Sequence, residues 1–292
     1  MPKLDLMSRV REARASGLSN PAWLTAHPDE VNQVPSREHD RTIRVHVYNT
    51  RKEVQGPVPV LINFHGSGFI MPLHGSDDEF ALSVVRNTGY MVLDCSYRLA
   101  PEHPWPAALQ DAEDVVRWVL AQPARFDLYS LTLSGFSAGA NLALVLSTEV
   151  LRAHTVSQVV AIYPVTNLAC NFRLELAPDT TGPDALPVEM MELFVEAYLP
   201  VNCDPGNVFV SPAFSPVEKF PNRLFIATAA RDRLCPAAEE LAERIGKTNK
   251  YVETVRFSGC EHGFDREYMR GSLEEMAKDH LYDRVAAFLN GC

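Results

Sequence analysis

The stretch from residue 128 to residue 153 limits the possible folds more than any other part of the chain. It reads LYSLTLSGFSAGANLALVLSTEVLRA and opens with apolar residues in a short run that is typical of a β-strand. The pentapeptide GFSAG at 135–139 follows, and residues 141–151 then carry apolar side chains at helical spacing. The pattern G-x-S-x-G between a strand and a helix predicts a sharp turn that holds the serine hydroxyl clear of the backbone.

The residues around this serine suit a nucleophile. Gly135 and Gly139 keep side chains out of a crowded turn, and the start of the following helix directs free N–H groups toward developing negative charge. Because G-x-S-x-G is short enough to occur by chance, the rest of the chain must decide whether Ser137 is such a nucleophile.

Composition and charge exclude several classes of protein. The chain has 292 residues, a net charge of −10 and no basic cluster, which argues against nucleic acid or an anionic membrane surface as a partner. No run of 18 apolar residues predicts a membrane span, and the charged N-terminus lacks the apolar core of a secretory signal. The six scattered cysteines show neither C-x-x-C nor a metal-ligand spacing, so they predict reduced thiols in the cytosol, with no metal and no cofactor.

The order of predicted elements indicates an α/β protein built on a mostly parallel sheet with helices on both faces. Predicted strands cover residues 42–48, 58–64, 90–96, 157–163, 223–229 and 251–257, in addition to the strand before Ser137. Predicted helices cover 77–88, 107–120, 187–200, 237–245 and 273–289, in addition to the helix after Ser137. Residues 1 to about 35 are expected to form a helical arm that is interrupted by Pro21, Pro28 and Pro35.

The alternation of strands and helices stops between Pro164 and about Pro212. A long excursion of this kind is typical of a lid or a binding segment, although its helix could instead simply pack on the core. Its methionine and phenylalanine side chains suit an adaptable apolar wall. The candidate substrate-binding residues are therefore Met190, Met191 and Phe194 in this segment, together with Phe69 and Phe136 near the turns.

A serine hydroxyl needs a base to activate it, and the base needs a carboxylate that orients it. In folds of this type the chain order is serine, acid, histidine, and the histidines after Ser137 are His154, His262 and His280. His154 follows the helix after the serine and His280 lies inside the last helix. His262 follows a strand directly on a glycine-containing turn, so it is the predicted base.

The orienting acid should follow an intervening strand. Asp232 comes directly after the strand RLFIATA and is the predicted acid, with Asp204 in the insertion as the alternative. Glu261 is adjacent to the base in sequence but does not stand at a strand end. The N–H of Ala138 and the turn at Ser67 and Gly68 supply candidate donors for an oxyanion hole.

These motifs together resemble the hormone-sensitive-lipase-like esterases, the HGGG family, which includes the arylacetamide deacetylases. The resemblance extends from about residue 60 to the end of the chain. It rests on HGSGF at 65–69, SYRLAPEHPWPAALQDAEDVVRWV at 96–119, GFSAGAN at 135–141, AARDRL at 229–234 and EHGF at 261–264. It implies a single α/β-hydrolase domain over 1–292, with a helical cap formed by about 1–35 and about 165–212. It also implies a triad of Ser137, Asp232 and His262, and an oxyanion hole of Ser67, Gly68 and Ala138.

Two residues depart from the family pattern. Ser67 stands where the family has a glycine, so its side chain could restrict the turn or intrude on the acyl site. Phe136 replaces the aspartate of G-D-S-A-G and removes a polar contact near the serine.

The predicted function is hydrolysis of small to medium apolar carboxylic esters through an acyl-enzyme. The two departures keep open the same triad acting on a dedicated lactone, amide or thioester, or in acyl transfer. A binding protein on a hydrolase fold is a further alternative, against which the complete triad argues. The expected partner is a small-molecule ester, and a homodimer is left open.

Overall fold

The fold is a mixed sheet covered by helices on both faces, seen in a computed structural model that describes residues 5–17, 24–182, 186–266 and 268–291. Within these residues one sheet contains eight strands. They are β1 (Glu30–Pro35), β2 (Thr42–Tyr48), β3 (Val58–Phe64), β4 (Met91–Cys95), β5 (Phe126–Phe136), β6 (Gln158–Ile162), β7 (Arg223–Ala229) and β8 (Tyr251–Phe257). The helices are α1 (Leu6–Gly17), α2 (Asp78–Asn87), α3 (Ala107–Leu120), α4 (Ala138–Val145), α5 (Val188–Tyr198), α6 (Cys235–Gly246) and α7 (Leu273–Asn290).

The strand order is β1-β2-β4-β3-β5-β6-β7-β8. The first three strands of this order pair antiparallel, and every other pair is parallel. The carboxyl ends of β3, β5, β7 and β8 therefore meet at one edge of the sheet, which is where sheets of this kind bind ligands.

The alternation of side chains along the central strands builds a core on each face. In β3, Val60, Ile62 and Phe64 join one cluster, whereas Leu61 between them joins the other. The first cluster is covered by α3, α4 and α6, and the second by α2 and α7. All residues of β4 and β6 are buried, which explains their nearly continuous apolar sequence.

The structure corrects the expected N-terminal arm in one part. Residues 6–17 are helical, as predicted, but Glu30–Pro35 is an edge strand paired antiparallel with β2. The sequence EVNQVP is polar and ends in proline, and such a strand is tolerated because an edge strand needs partners on one side only. Pro21 lies outside the described residues.

Helix α4 begins earlier than its apolar periodicity suggested, at Ala138 directly after the serine, and all eight of its residues are buried. A buried helix shows no polar face, so periodicity alone could not mark its start. It ends in a π-helical turn over Leu146–Val150.

Helix α1 packs beside α5, which lies in the long excursion between β6 and β7. Arg9 forms a 2.6 Å ion pair with Glu196 of α5. Arg14 donates to the main-chain oxygens of Ile70 and Ala100. These contacts attach α1 to α5 and to the loops that follow β3 and β4. None of the helices in the described ranges combines the length and apolar character that crossing a membrane requires.

Candidate active site

The turn between β5 and α4 has the geometry that its sequence predicts. Ser137 has φ 51° and ψ −113°, a strained conformation for a residue with a side chain, and its N–H donates to Ile162 O at 2.9 Å. A β-carbon at Gly139 would lie 1.9 Å from Phe64 O, and one at Gly135 would lie 2.3 Å from the carbonyl carbon of Gly139. Glycine is therefore required at both positions by close approach of the backbone.

Ser137, His262 and Asp232 form a continuous hydrogen-bonded chain. His262 Nε2 lies 2.9 Å from Ser137 Oγ, and His262 Nδ1 lies 2.7 Å from Asp232 Oδ2. The other carboxylate oxygen of Asp232 accepts from the N–H of Leu234 at 2.9 Å. The carboxylate is buried, whereas the imidazole keeps 14% of its side-chain surface exposed toward the site. This arrangement fixes one ring nitrogen against the acid and leaves the other facing the hydroxyl.

The alternative bases and acids lie elsewhere. His154 is exposed in the turn after the π-helical segment, and His280 is exposed on α7. Asp204 is exposed and accepts from the N–H of Gly206 within its own turn. Glu261 forms a 2.7 Å ion pair with Arg231.

The turn after β3 brings Ser67 and Gly68 close to the serine, and a short hydrogen-bonded chain holds it. Ser67 Oγ accepts from the N–H of Phe69 at 2.8 Å and lies 2.7 Å from the phenol oxygen of Tyr97. The Tyr97 hydroxyl donates to His65 O, so the Ser67 hydroxyl donates to Tyr97. Burial raises the pKa of Tyr97 above its ordinary value, so the phenol keeps the proton that it donates.

Two main-chain N–H groups of this turn are available for a ligand. Within the described part of the chain, neither the N–H of Ser67 nor that of Gly68 donates to a protein acceptor. Gly68 has φ +53°, in the left-handed region that favours glycine. Ala138 is the first residue of α4, so its N–H has no acceptor within that helix.

A narrow apolar cavity lies beside Ser137. Its volume is about 20 Å³, which is room for about one water molecule. Phe69, Met191 and Phe194 line it, as expected, together with Gly68 and Ser137. Six further lining residues were not singled out from the sequence: Val165, Leu168, Phe172, Leu186, Val195 and Leu234. They lie in the excursion and in the turn after Asp232. No sequence pattern predicts that these residues line one cavity.

Two of the predicted substrate-binding residues lie away from the cavity. Phe136 is fully buried on the other face of the sheet, where its ring packs edge-on against Phe80 with centroids 5.0 Å apart. Ser137 follows Phe136 directly, so the Phe136 side chain points away from the site. The structure therefore corrects the assignment of Phe136 to the substrate pocket. Met190 is half-buried on α5 and packs against the core beside Met191, without lining the cavity.

Tyr163 and Asn141 support the site and were not predicted. The Tyr163 ring lies 4.7 Å from the His262 ring, and its hydroxyl donates to Asp265 at 2.6 Å. The Asn141 amide donates to the main-chain oxygens of Val165 and Val210, both at 2.8 Å, and so ties the excursion to α4. Asn141 does stand in the GFSAGAN motif, which is the only signal that could have marked it.

A mostly parallel sheet that presents a serine, an imidazole and a carboxylate at the ends of β5, β8 and β7 defines an α/β-hydrolase. A family model described as alpha/beta hydrolase fold matches residues 61–266, and the chain belongs to that family, the hormone-sensitive-lipase-like group.

Characterised relatives are similar over most of the chain. An ethyl acetate hydrolase of Pseudomonas putida is 27% identical over 78% of this chain and 71% of its own. A versiconal hemiacetal acetate esterase of Aspergillus parasiticus is 32% identical over 82% of this chain and 68% of its own. Among solved structures, a hyperthermophilic esterase from Pyrobaculum calidifontis superposes with a TM-score of 0.82, at 26% identity, over 100% of this chain and 92% of that chain. The protein is a carboxylic ester hydrolase.

Proposed function

We propose that Ser137 is the nucleophile of this esterase, that His262 is its general base and that Asp232 orients the imidazole. The observation that carries the proposal is the continuous chain of 2.9 Å and 2.7 Å contacts from the hydroxyl to the carboxylate. His262 Nε2 accepts the hydroxyl proton as Ser137 attacks the ester carbonyl, and it then donates that proton to the leaving alcohol. Water attacks the acyl-enzyme by the same route and releases the acid.

The oxyanion formed in both steps is stabilised by main-chain N–H groups of Ser67, Gly68 and Ala138. The first two have no protein acceptor among the described residues, and the third stands at the positive end of α4. Removing one donor of this type typically costs about 3 kcal/mol of transition-state stabilisation.

The substrate is a small to medium ester with an apolar acyl or alcohol part. The cavity wall beside Ser137 consists of aliphatic and aromatic side chains, including Leu168, Phe172 and Met191. Two relatives are named for acetate esters, which supports short acyl groups as the first to test.

The segment of about 165–212, with α1 from the first 35 residues, forms a cap over this site. Phe69 in the turn after β3 stacks on Tyr198 of α5 with ring centroids 3.7 Å apart, so the cap rests directly on the oxyanion turn. Because the cavity has room for about one water, we expect the side chains that line it to move when an ester binds. The cytosolic location stays a prediction of the sequence, and the oligomeric state stays open.

The test is hydrolysis of p-nitrophenyl esters from acetate to decanoate by the wild type, Ser137→Ala and the control Ser83→Ala. Ser83 lies on α2, so its loss should leave the rate unchanged. We expect Ser137→Ala to lose activity by a factor of at least about 10⁴, since the nucleophile acts as a unit with its base. Activity retained in Ser137→Ala would refute the mechanism. A wild type that is inert on every ester but is still labelled at Ser137 by a fluorophosphonate would instead indicate a dedicated substrate.

A further inference from the structure

A second cluster of reactive side chains lies apart from the triad, at the buried join between β2, β4 and the loop before α2. His46 on β2, His74 on the loop and Asp94 on β4 each present a donor atom, and these atoms lie within 4.8 Å of one another. Asp94 Oδ2 is 3.4 Å from His74 Nε2 and 4.0 Å from His46 Nδ1.

Two of the three side chains carry buried polar atoms that have no partner among the described residues, whereas His74 Nε2 lies 3.1 Å from the main-chain oxygen of Asp94. Both ring nitrogens of His46 and Oδ2 of Asp94 are buried and make no hydrogen bond within the described part of the chain. Buried polar groups almost always have a partner, so the unpaired Nδ1 of His46 and the unpaired Oδ2 of Asp94, 4.0 Å apart, indicate a bound species between them. His46 is 5% exposed and Asp94 is fully buried.

Two buried carboxylates beside the cluster attract a cation, whereas the charge of Arg44 opposes one. Asn63 bridges the carboxylates of Asp77 and Asp94, donating to each at 2.9 Å. Asp77 is paired with Arg266 at 3.0 Å, whereas the ion-pair partners of Asp94 among the described residues are the two imidazoles alone. Asp94 is therefore a buried carboxylate without a permanent cation beside it.

We propose that His46, His74 and Asp94 bind a divalent transition-metal ion, with Zn²⁺ as the best match. Two imidazole nitrogens and one carboxylate oxygen are ligands that Zn²⁺ prefers, and water would take the fourth position. Tetrahedral ligands stand about 3.3 Å apart. The two imidazole rings are stacked with centroids 4.1 Å apart and an interplanar angle of 30°, so closing the cluster requires one ring to rotate as well as donor shifts of up to about 1.5 Å. Asn63 supports the site as an outer partner that orients Asp94.

The ion would have a structural role. His74 lies seven residues after Ser67 on the same loop, and α2 follows it. A metal shared with β2 and β4 would fasten the loop that carries the oxyanion turn to two strands of the sheet. Occupancy should therefore raise the melting temperature without taking part in ester hydrolysis.

The test uses the chelator-treated full-length protein, with Co²⁺ as the spectroscopic probe and Zn²⁺ as the competitor. We expect one equivalent of Co²⁺ to bind, to give the visible absorption of a tetrahedral N/O site and to raise the melting temperature. His74→Ala should weaken this binding by more than about 100-fold, because it removes a direct ligand. The control His39→Ala removes an imidazole that is 93% exposed and should bind as the wild type does.

Three results would overturn the proposal. They are the absence of a stoichiometric site in the wild type, equal binding in His74→Ala, and a thiolate-to-metal charge-transfer band that reveals cysteine ligands. Equal binding in His74→Ala would point to the intact His262 instead. If His74→Ala fails to fold, X-ray absorption of the Zn²⁺-loaded wild type decides, because a shell without two imidazoles contradicts the assignment.

Discussion

Ser67 occupies a position at which a side chain could have blocked the acyl site, yet it stabilises the turn. Its hydroxyl lies between the N–H of Phe69 and the phenol of Tyr97, and the residue is only 4% exposed. The departure from HGGG therefore adds a hydrogen bond that glycine could not make.

Ser67→Ala should lower kcat because the oxyanion turn loses one internal restraint, while KM changes little. A net hydrogen bond of about 0.5 to 1.5 kcal/mol corresponds to a decrease of about 2- to 12-fold. Tyr97→Phe interrupts the same chain and should give a decrease of similar size. Steady-state kinetics on one short ester measure both, and a variant with unchanged kcat but altered KM would show that Ser67 contacts substrate instead.

The aromatic ring of Phe194 covers the turn at Gly68. A β-carbon at Gly68 would lie 2.3 Å from Cε2 of Phe194, so the ring rests on the oxyanion turn. Phe194→Ala should shift the preferred ester toward longer acyl chains, because each methylene newly buried contributes about 0.8 kcal/mol. Two of them contribute about 1.6 kcal/mol and increase kcat/KM for decanoate about 15-fold.

The matched control for this variant is Met190→Ala, on the same helix but outside the cavity lining. It should leave the chain-length profile as it is in the wild type. The same shift in both variants would mean that loosening α5, rather than the Phe194 ring, sets the profile.

At the scale of elements, the motif SYRLAPEHPWPAALQD is explained by a buried ion-pair network. Asp111 of α3 is fully buried and accepts from Arg98 N at 2.9 Å and from the Arg98 and Arg41 guanidinium groups. The network joins the loop after β4 to α3 and to β2. The motif therefore supports the architecture of the site and does not take part in the chemistry.

Asp111→Ala should destabilise the protein by about 3 kcal/mol, since it leaves two arginine side chains without their buried partner. Urea unfolding measures the change. Glu38→Gln removes an acid of the same network that is 48% exposed, and it should destabilise the protein much less, because solvent screens its ion pairs. Equal effects of the two variants would contradict a dominant role for the buried carboxylate.

Most of the elements around the site follow from sequence, and the failures have physical reasons. The strands β2, β3, β7 and β8 were predicted to the residue because each is an apolar or alternating run between turn signals. The strand β1 was missed because its pairing with β2 outweighs its weak propensity.

The hydrogen-bonded arrangement of Ser137, His262 and Asp232 was predictable, because chain order and strand ends restrict these residues. Sequence could not predict on which face of the sheet a given side chain lies. Phe136 adjoins the serine in sequence but packs against Phe80 and lies below Arg266. The cavity wall depends on how α5 docks, which is a tertiary property.

At the scale of the whole molecule, the core keeps its cysteines unreactive. The five described cysteines are free, and Cys95, Cys235 and Cys260 are buried. Burial raises the pKa of Cys235 to about 12 and that of Cys260 to about 11. At pH 8, below both values, about one Cys260 in a thousand is a thiolate.

Native protein at pH 8 should therefore label slowly with iodoacetamide at these three positions and quickly at all of them in urea. Peptide mass spectrometry measures the extent at each site, and the partly exposed Cys203 is the internal control that labels first. Rapid labelling of Cys235 or Cys260 in the native state would mean that the core opens locally.

The proposed reacting residues and the cavity wall come from different parts of the chain, and this affects how the substrate range of such a protein can evolve. The residues that we propose to react with the ester follow β3, β5, β7 and β8, whereas much of the cavity wall comes from the excursion between β6 and β7. Mutation or recombination confined to residues 165–212 can therefore change which molecules are admitted while the reaction is inherited unaltered. New selectivities can arise in one lineage without passing through an inactive ancestor.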